Sequence, residues 1–121
     1  MGMPLDVLVF LNACDQKASI NNAYLYKKLI EEEYEEFQQA VSKVDEPETL
    51  DACMDMIWVI LGFCHMKGYD IQGAWNEVVA TNMAKVDPVT GKVRRREDGK
   101  ILKPEGWTPP DMSKFVSKFV K

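Results

Sequence analysis

The chain has 121 residues, of which 46% are hydrophobic and 28% charged, with a formal net charge of -4. That is the size of one ordinary domain with its own core, too short for two. The charge is unevenly placed: residues 1–81 hold 14 Asp/Glu against 5 Lys/Arg, and residues 82–121 hold 5 against 10, an acidic total that argues against a dedicated non-specific DNA binder. The longest uninterrupted apolar run, Met56–Cys64, falls far short of the about 20 residues of a membrane-spanning helix. The start, Met-Gly-Met-Pro-Leu-Asp, lacks the basic region and cleavage site of a secretory signal. Cys14, Cys53 and Cys64 are an odd set with no pair at metal-ligand spacing. These features together predict a cytoplasmic protein with neither membrane nor nucleic acid as partner.

The first 85 residues read as helical. Leu5–Cys14 is a short apolar helix in this reading, and Ser19–Asn22 supplies caps for a long one from about Asn22 to Val44. Asp45-Glu46-Pro47 breaks it. A third helix is predicted from Pro47 to Met66, closed by Gly68, and Asp70 caps a fourth from Ile71 to about Lys85. Beyond it, Asp98-Gly99 between Val93–Arg95 and Lys100–Lys103 predicts a small hairpin, and Pro104 and Pro109-Pro110 hold the next stretch extended. Asp111–Val120 reads as a short terminal helix with Met112, Phe115, Val116, Phe119 and Val120 on its apolar side. The expected fold class is all-α: a single domain with a bundle of four main helices at about residues 5–85 and a basic C-terminal extension over 86–121.

Within the run Glu31-Glu32-Glu33-Tyr34-Glu35-Glu36, helical phase separates the carboxylates. At 100° per residue, Tyr26, Leu29, Ile30, Phe37, Ala40, Val41 and Val44 share a face. Glu33 falls inside that face, Glu36 at its edge and Glu32 just beyond, while Glu31 and Glu35 point away. The third helix is nearly apolar on all sides and reads as buried, yet carries Asp51 and Asp55 at i, i+4. A carboxylate on a core face costs several kcal/mol unless it is paired, protonated or metal-bound. No Arg precedes position 94 to pair with them, which leaves Lys27, Lys28 or Lys43 as the structural alternative. Two helices joined by a short break pack antiparallel, which lets the two acidic sets approach. Glu32, Glu33, Glu36, Asp51 and Asp55 then form an all-oxygen donor set that suits a hard divalent cation, Mg²⁺ first and Mn²⁺ as its alternative.

Asn82 and Lys85 continue the Val78 stripe of the fourth helix, which fits either a fraying helix end or an amide and a cation directed at phosphate. Arg94-Arg95-Arg96 has no interleaved aromatics and reads as a solvated turn rather than an RNA-binding patch. His65, the only histidine, has no Glu three residues before it, so di-iron and His-based metal sites are excluded. No phosphate-binding P-loop motif is present.

Leu29–Phe37, then Asp55 in an apolar helix, then Thr81-Asn82-Met83-Ala84-Lys85, resembles the MazG-like all-α nucleoside triphosphate pyrophosphohydrolases. Asp98–Trp107 followed by Pro109-Pro110-Asp111 is similar to the C-terminal segment of bacterial and phage members, including phosphoribosyl-ATP pyrophosphohydrolase-like and dUTP-preferring relatives. The family pattern is Glu-x-x-Glu with an extra Glu, followed by Glu-x-x-Asp. Glu32, Glu33, Glu36 and Asp55 match it. Ala52 stands where the second motif has Glu, and Asp51, one residue earlier, is placed to replace it. The resemblance implies Mg²⁺-dependent hydrolysis of a nucleoside triphosphate, a deoxy- or non-canonical one, to monophosphate and pyrophosphate. It implies Glu33 or Glu36 as the proton acceptor, Asn82 and Lys85 on substrate phosphate or sugar, and Lys103 and Trp107 near the site. It also implies a homodimer or a dimer of dimers. Phosphoribosyl-ATP as substrate and a non-catalytic helical dimerisation module are the alternatives.

Overall fold

The structure is a computed structural model and describes residues 2–116. Among the described residues there are four α-helices and no strands, as an all-α class requires: α1 (Met3–Ala13), α2 (Ile20–Ser42), α3 (Glu46–Met66) and α4 (Ile71–Met83). The ends follow local chemistry. Ser19 Oγ accepts from Asn22 N at 3.0 Å to start α2, and Asp45 Oδ1 accepts from Glu48 N at 3.1 Å to start α3, with Pro47 in its first turn. Between them the chain reverses in three residues, and Asp45 N closes on Ala40 O at 3.1 Å.

That reversal places Val44 at φ +54°. A β-branched residue pays about 1–2 kcal/mol for the left-handed conformation. The Val44 side chain is 76% exposed, so nothing is gained in return. Val44→Gly is therefore expected to raise stability by about 1 kcal/mol, less the entropy glycine adds to the unfolded chain. Equilibrium urea unfolding of the two proteins measures it.

The chain divides into two compact units between Ile71 and Gln72, one residue into α4, whereas the sequence alone marks a change of character near residue 85. In the first unit α3 packs against both α2 and α1. Val7, Leu11, Ala23, Tyr26, Val59 and Met66 form its core. The α2–α3 approach depends on Gly62, where a methyl group would fall on the Tyr26 ring. Tyr26 donates its hydroxyl to Gln16 Oε1 at 2.7 Å, and a His65 Nε2–Pro4 O contact of 2.7 Å ties α3 to the start of α1.

The expectation that α3 is buried on all sides is corrected. Only Ala52, Val59, Gly62 and Met66 are fully buried, while Leu50, Met54, Ile57, Trp58 and Ile60 are exposed. By length and composition α3 is apolar enough to cross a membrane. It packs on α1 and α2 and carries Asp51 and Asp55, charges that are costly in a lipid-exposed span.

The second unit, Gln72–Phe115, holds most of α4 and the irregular segment after it. The predicted hairpin forms only as one isolated antiparallel bridge, Arg95 with Ile101, and a second bridge, Val86 with Val93, closes the turn before it. Gly99 takes φ +90° at its turn. The three arginines are all engaged locally: Arg94 Nε with Asp87 at 3.4 Å, Arg95 Nη1 with Gly99 O at 2.9 Å, and Arg96 Nη2 with Asp98 at 2.7 Å. The terminal helix expected over Asp111–Val120 is also corrected. Asp111 Oδ1 accepts from both Ser113 N and Ser113 Oγ, so the chain turns there and only Ser113–Phe115 winds into a 3-10 turn. The rest of that expectation, Phe119 and Val120 included, lies outside the described residues.

Candidate functional site

The antiparallel α2–α3 pair sets the acidic residues of the first unit against one another. Glu33 is half-buried on α2, and Asp55 is half-buried on α3. Glu31 and Glu35 are exposed, and Glu31 pairs with Lys27 at 2.8 Å one turn earlier, an ordinary surface ion pair. Glu36 and Asp51 are exposed but interact with the two half-buried carboxyls. Glu32 is exposed, with no hydrogen bond or ion pair to the described residues.

The electrostatics follow from this crowding. Burial first, then a hydrogen bond with Glu36 and the charges of Glu36, Asp55 and Asp51, push the Glu33 carboxyl up from 4.5 to about 7. Burial, then the charge and hydrogen bond of Asp51, with Glu36 behind them, raise Asp55. The four side chains thus meet as two neighbouring pairs, Glu33 with Glu36 and Asp51 with Asp55. Among the described residues no three such groups stand ready as a chelate. Glu33 Oε2, however, is buried without a hydrogen-bond partner. An unpaired buried carboxylate oxygen beside three further carboxylates has the donor chemistry that fits a hard divalent cation, with Glu36 and Asp51 on its exposed side.

A carboxyl whose folded value lies above its unfolded value stabilises the fold while protonated, and that contribution is lost as pH rises through the folded value. With divalent ions chelated, stability is expected to fall between pH 4.5 and about 7 on account of Glu33. Glu33→Gln removes that slope. At pH 8 the variant gains on the order of 1 kcal/mol over the parent, once solvent screening at this half-buried position is allowed for. Thermal melts of both proteins across that range, in chelator, provide the check; parallel curves would contradict the account.

The four residues expected at the substrate all lie in the second unit, and the structure brings them together. Lys85 Nζ donates to Asn82 Oδ1 at 3.0 Å. Trp107 Nε1 donates to Thr81 O at 2.8 Å. Lys85 and Lys103 place their ammonium groups 5.1 and 4.8 Å from the Trp107 ring centroid. Because α4 ends at Met83, Lys85 is not on the helical stripe that the sequence suggests but folds back from the residues that follow. The anchor of the cluster, the Thr81 carbonyl, has no side-chain signal in the sequence.

Comparison with protein families matches residues 14–82 to phosphoribosyl-ATP pyrophosphohydrolase, a span that includes the whole α2–α3 acidic pair and Asn82. The chain belongs to the phosphoribosyl-ATP pyrophosphohydrolase family. Members share the MazG-like all-α fold of nucleotide pyrophosphohydrolases, and membership supports nucleotide pyrophosphohydrolase activity in this chain. The matched span stops short of Lys85, Lys103 and Trp107. A search of curated proteins gives no significant match.

Proposed function

We propose that the protein hydrolyses a nucleoside triphosphate, a deoxy- or non-canonical one, to the monophosphate and pyrophosphate, with Mg²⁺ as cofactor and Mn²⁺ able to replace it. The observation that carries this reading is the unpartnered, buried Glu33 Oε2 among Glu36, Asp51 and Asp55. Glu32, Glu33, Glu36 and Asp55 would hold the cation, with Asp51 in place of the glutamate absent at Ala52. A bound Mg²⁺ supplies polarisation of phosphate oxygens and a lower pKa for an attacking water.

The chain's own groups account for the rest. Water attacks the α-phosphorus, the bridging bond to the β-phosphate breaks, and pyrophosphate departs with the bonding electrons. Glu33 or Glu36, whichever keeps an oxygen off the cation, would accept the proton of that water. In the second unit, Lys85, held by Asn82, is a cation of the kind that offsets phosphate charge.

Phosphoribosyl-ATP is the second substrate reading, favoured by the family match itself. The apolar surface left on α1 and α3, including the edge-on Phe10–Trp58 pair at 5.5 Å, supports a homodimer, or a dimer of dimers, closed across that face. The three free thiols suit a reducing cytosol. The test is incubation with NTPs, dNTPs and phosphoribosyl-ATP in Mg²⁺, with pyrophosphate resolved from phosphate. Monophosphate and pyrophosphate in equal amounts from one of these are expected. No turnover of any of them would leave the fold as a dimerisation module and overturn the reading.

A further inference from the structure

We propose that the cavity between the C-terminal ends of α1 and α3 and the loop that opens α2 binds a small zwitterion, an α-amino acid with an apolar side chain. The inference is independent of the function proposed above. The cavity has a volume of about 320 Å³ and lies wholly within the first unit. That volume is within the range of small-molecule sites. His65, on its wall, lies ten residues beyond Asp55 along α3, about 15 Å away at the helical rise, so the cavity is separate from the acidic pair.

The site is built from held parts. Leu11 and Met66, each 1% exposed, line it with fully buried apolar surface, and Leu8 adds to that surface. The His65 ring is tied to Pro4 O through Nε2 at 2.7 Å, and Gln16 Oε1 accepts the Tyr26 hydroxyl at 2.7 Å. The second bond leaves the Gln16 Nε2 hydrogens as donors on the lining. Asp15 and Lys17 line the exposed side. Asp15 takes φ +56°, a reversal closed by Gln16 N on Leu11 O at 3.0 Å. The Lys17 carbonyl accepts from Asn22 Nδ2 at 2.7 Å, so the backbone that carries both charges is fixed.

Asp15 and Lys17 are opposite charges two residues apart, with Cα atoms no more than about 7 Å from each other. They do not pair with one another, and among the described residues neither makes an ion pair. The ligand that answers both at once, above an apolar lining, carries a positive and a negative group on neighbouring carbons and an apolar group beyond them. An α-amino acid has that form. Asp15 takes its ammonium, Lys17 and the Gln16 amide take its carboxylate, and its side chain lies on Leu8, Leu11 and Met66.

The test is calorimetric titration of the full chain with L-leucine, L-methionine and L-phenylalanine in turn. At least one is expected to bind with a dissociation constant of about 1 mM or tighter. The corresponding amine, which lacks the carboxylate, and the corresponding acid, which lacks the ammonium, should each bind at least about threefold more weakly. Asp15→Asn and Lys17→Met should show the same loss for the amino acid; asparagine also adopts the left-handed conformation, so the first variant keeps the reversal. Asp15→Asn should bind the acid as well as the parent does, because that probe has no ammonium for Asp15 to hold. Asp55→Asn should bind the amino acid unchanged. No binding of any of the three at about 10 mM, or amine and acid bound as tightly as the amino acid, overturns the proposal. So does binding that is the same in Asp15→Asn, Lys17→Met and the parent. Weaker binding in Asp55→Asn overturns the separation of this cavity from the acidic pair.

Discussion

Asp55→Asn is expected to lower nucleotide hydrolysis by at least about a hundredfold while leaving the melting temperature unchanged or higher. The two halves of that expectation come from one cause. Asp55 is held above its ordinary value by burial and by Asp51 and Glu36, so its charge opposes the fold. An amide of the same shape relieves the repulsion but cannot hold a divalent cation as a carboxylate does. Glu33→Gln should behave alike. If both carboxylates serve one metal-dependent step, the double variant should be little worse than either single one, since groups that act as a unit do not add. Hydrolysis within about threefold of the parent in both single variants would remove these residues from the chemistry.

Gly62→Ala is expected to destabilise the fold by about 1–3 kcal/mol, the cost of overpacking a fitted contact. Gly62 is buried on α3, and the new methyl group would fall on the Tyr26 ring of α2. The ring has little room to yield, because Tyr26 is itself buried and its hydroxyl is bonded to Gln16. In a Tyr26→Ala background the same substitution should cost much less, a coupling that a double-mutant cycle in urea measures. The same contact sets how closely α2 approaches α3 and hence how closely Glu33 and Glu36 face Asp51 and Asp55. Gly62→Ala should therefore lose more activity than its unfolded fraction explains. Additive costs in the cycle would contradict the contact.

How much of this was legible in the sequence differs from element to element. Helical phase separates Glu33 from Glu31 and Glu35 because a helix has one periodicity, and the structure half-buries Glu33 while Glu31 pairs with Lys27 at the surface. Asp51 and Asp55 share a face for the same reason. Glu32 lies just beyond the apolar face by phase, and the structure leaves it exposed, as that phase predicts. Apolar composition alone cannot say what covers it, which is why α3 reads as buried all round yet carries Trp58 and Ile60 at the surface. The cluster around Trp107 depends on a backbone carbonyl, Thr81 O, and on a turn closed over Gly106, neither of which has a periodic signature. At Asp111 the side chain accepts from Ser113 N and Ser113 Oγ, and local side-chain bonding of this kind competes with helix in a way that apolar periodicity does not register.

The central claim is that the carboxylates of α2 and α3 form a divalent-cation site. The most direct measurement is a titration of Mn²⁺ into the full chain, with free Mn²⁺ followed by its paramagnetic resonance signal, repeated for Glu33→Gln and Asp55→Asn. The parent should bind Mn²⁺ in competition with Mg²⁺, and each variant should bind at least about tenfold more weakly, as loss of a charged ligand requires. Equal binding by all three proteins would contradict the account.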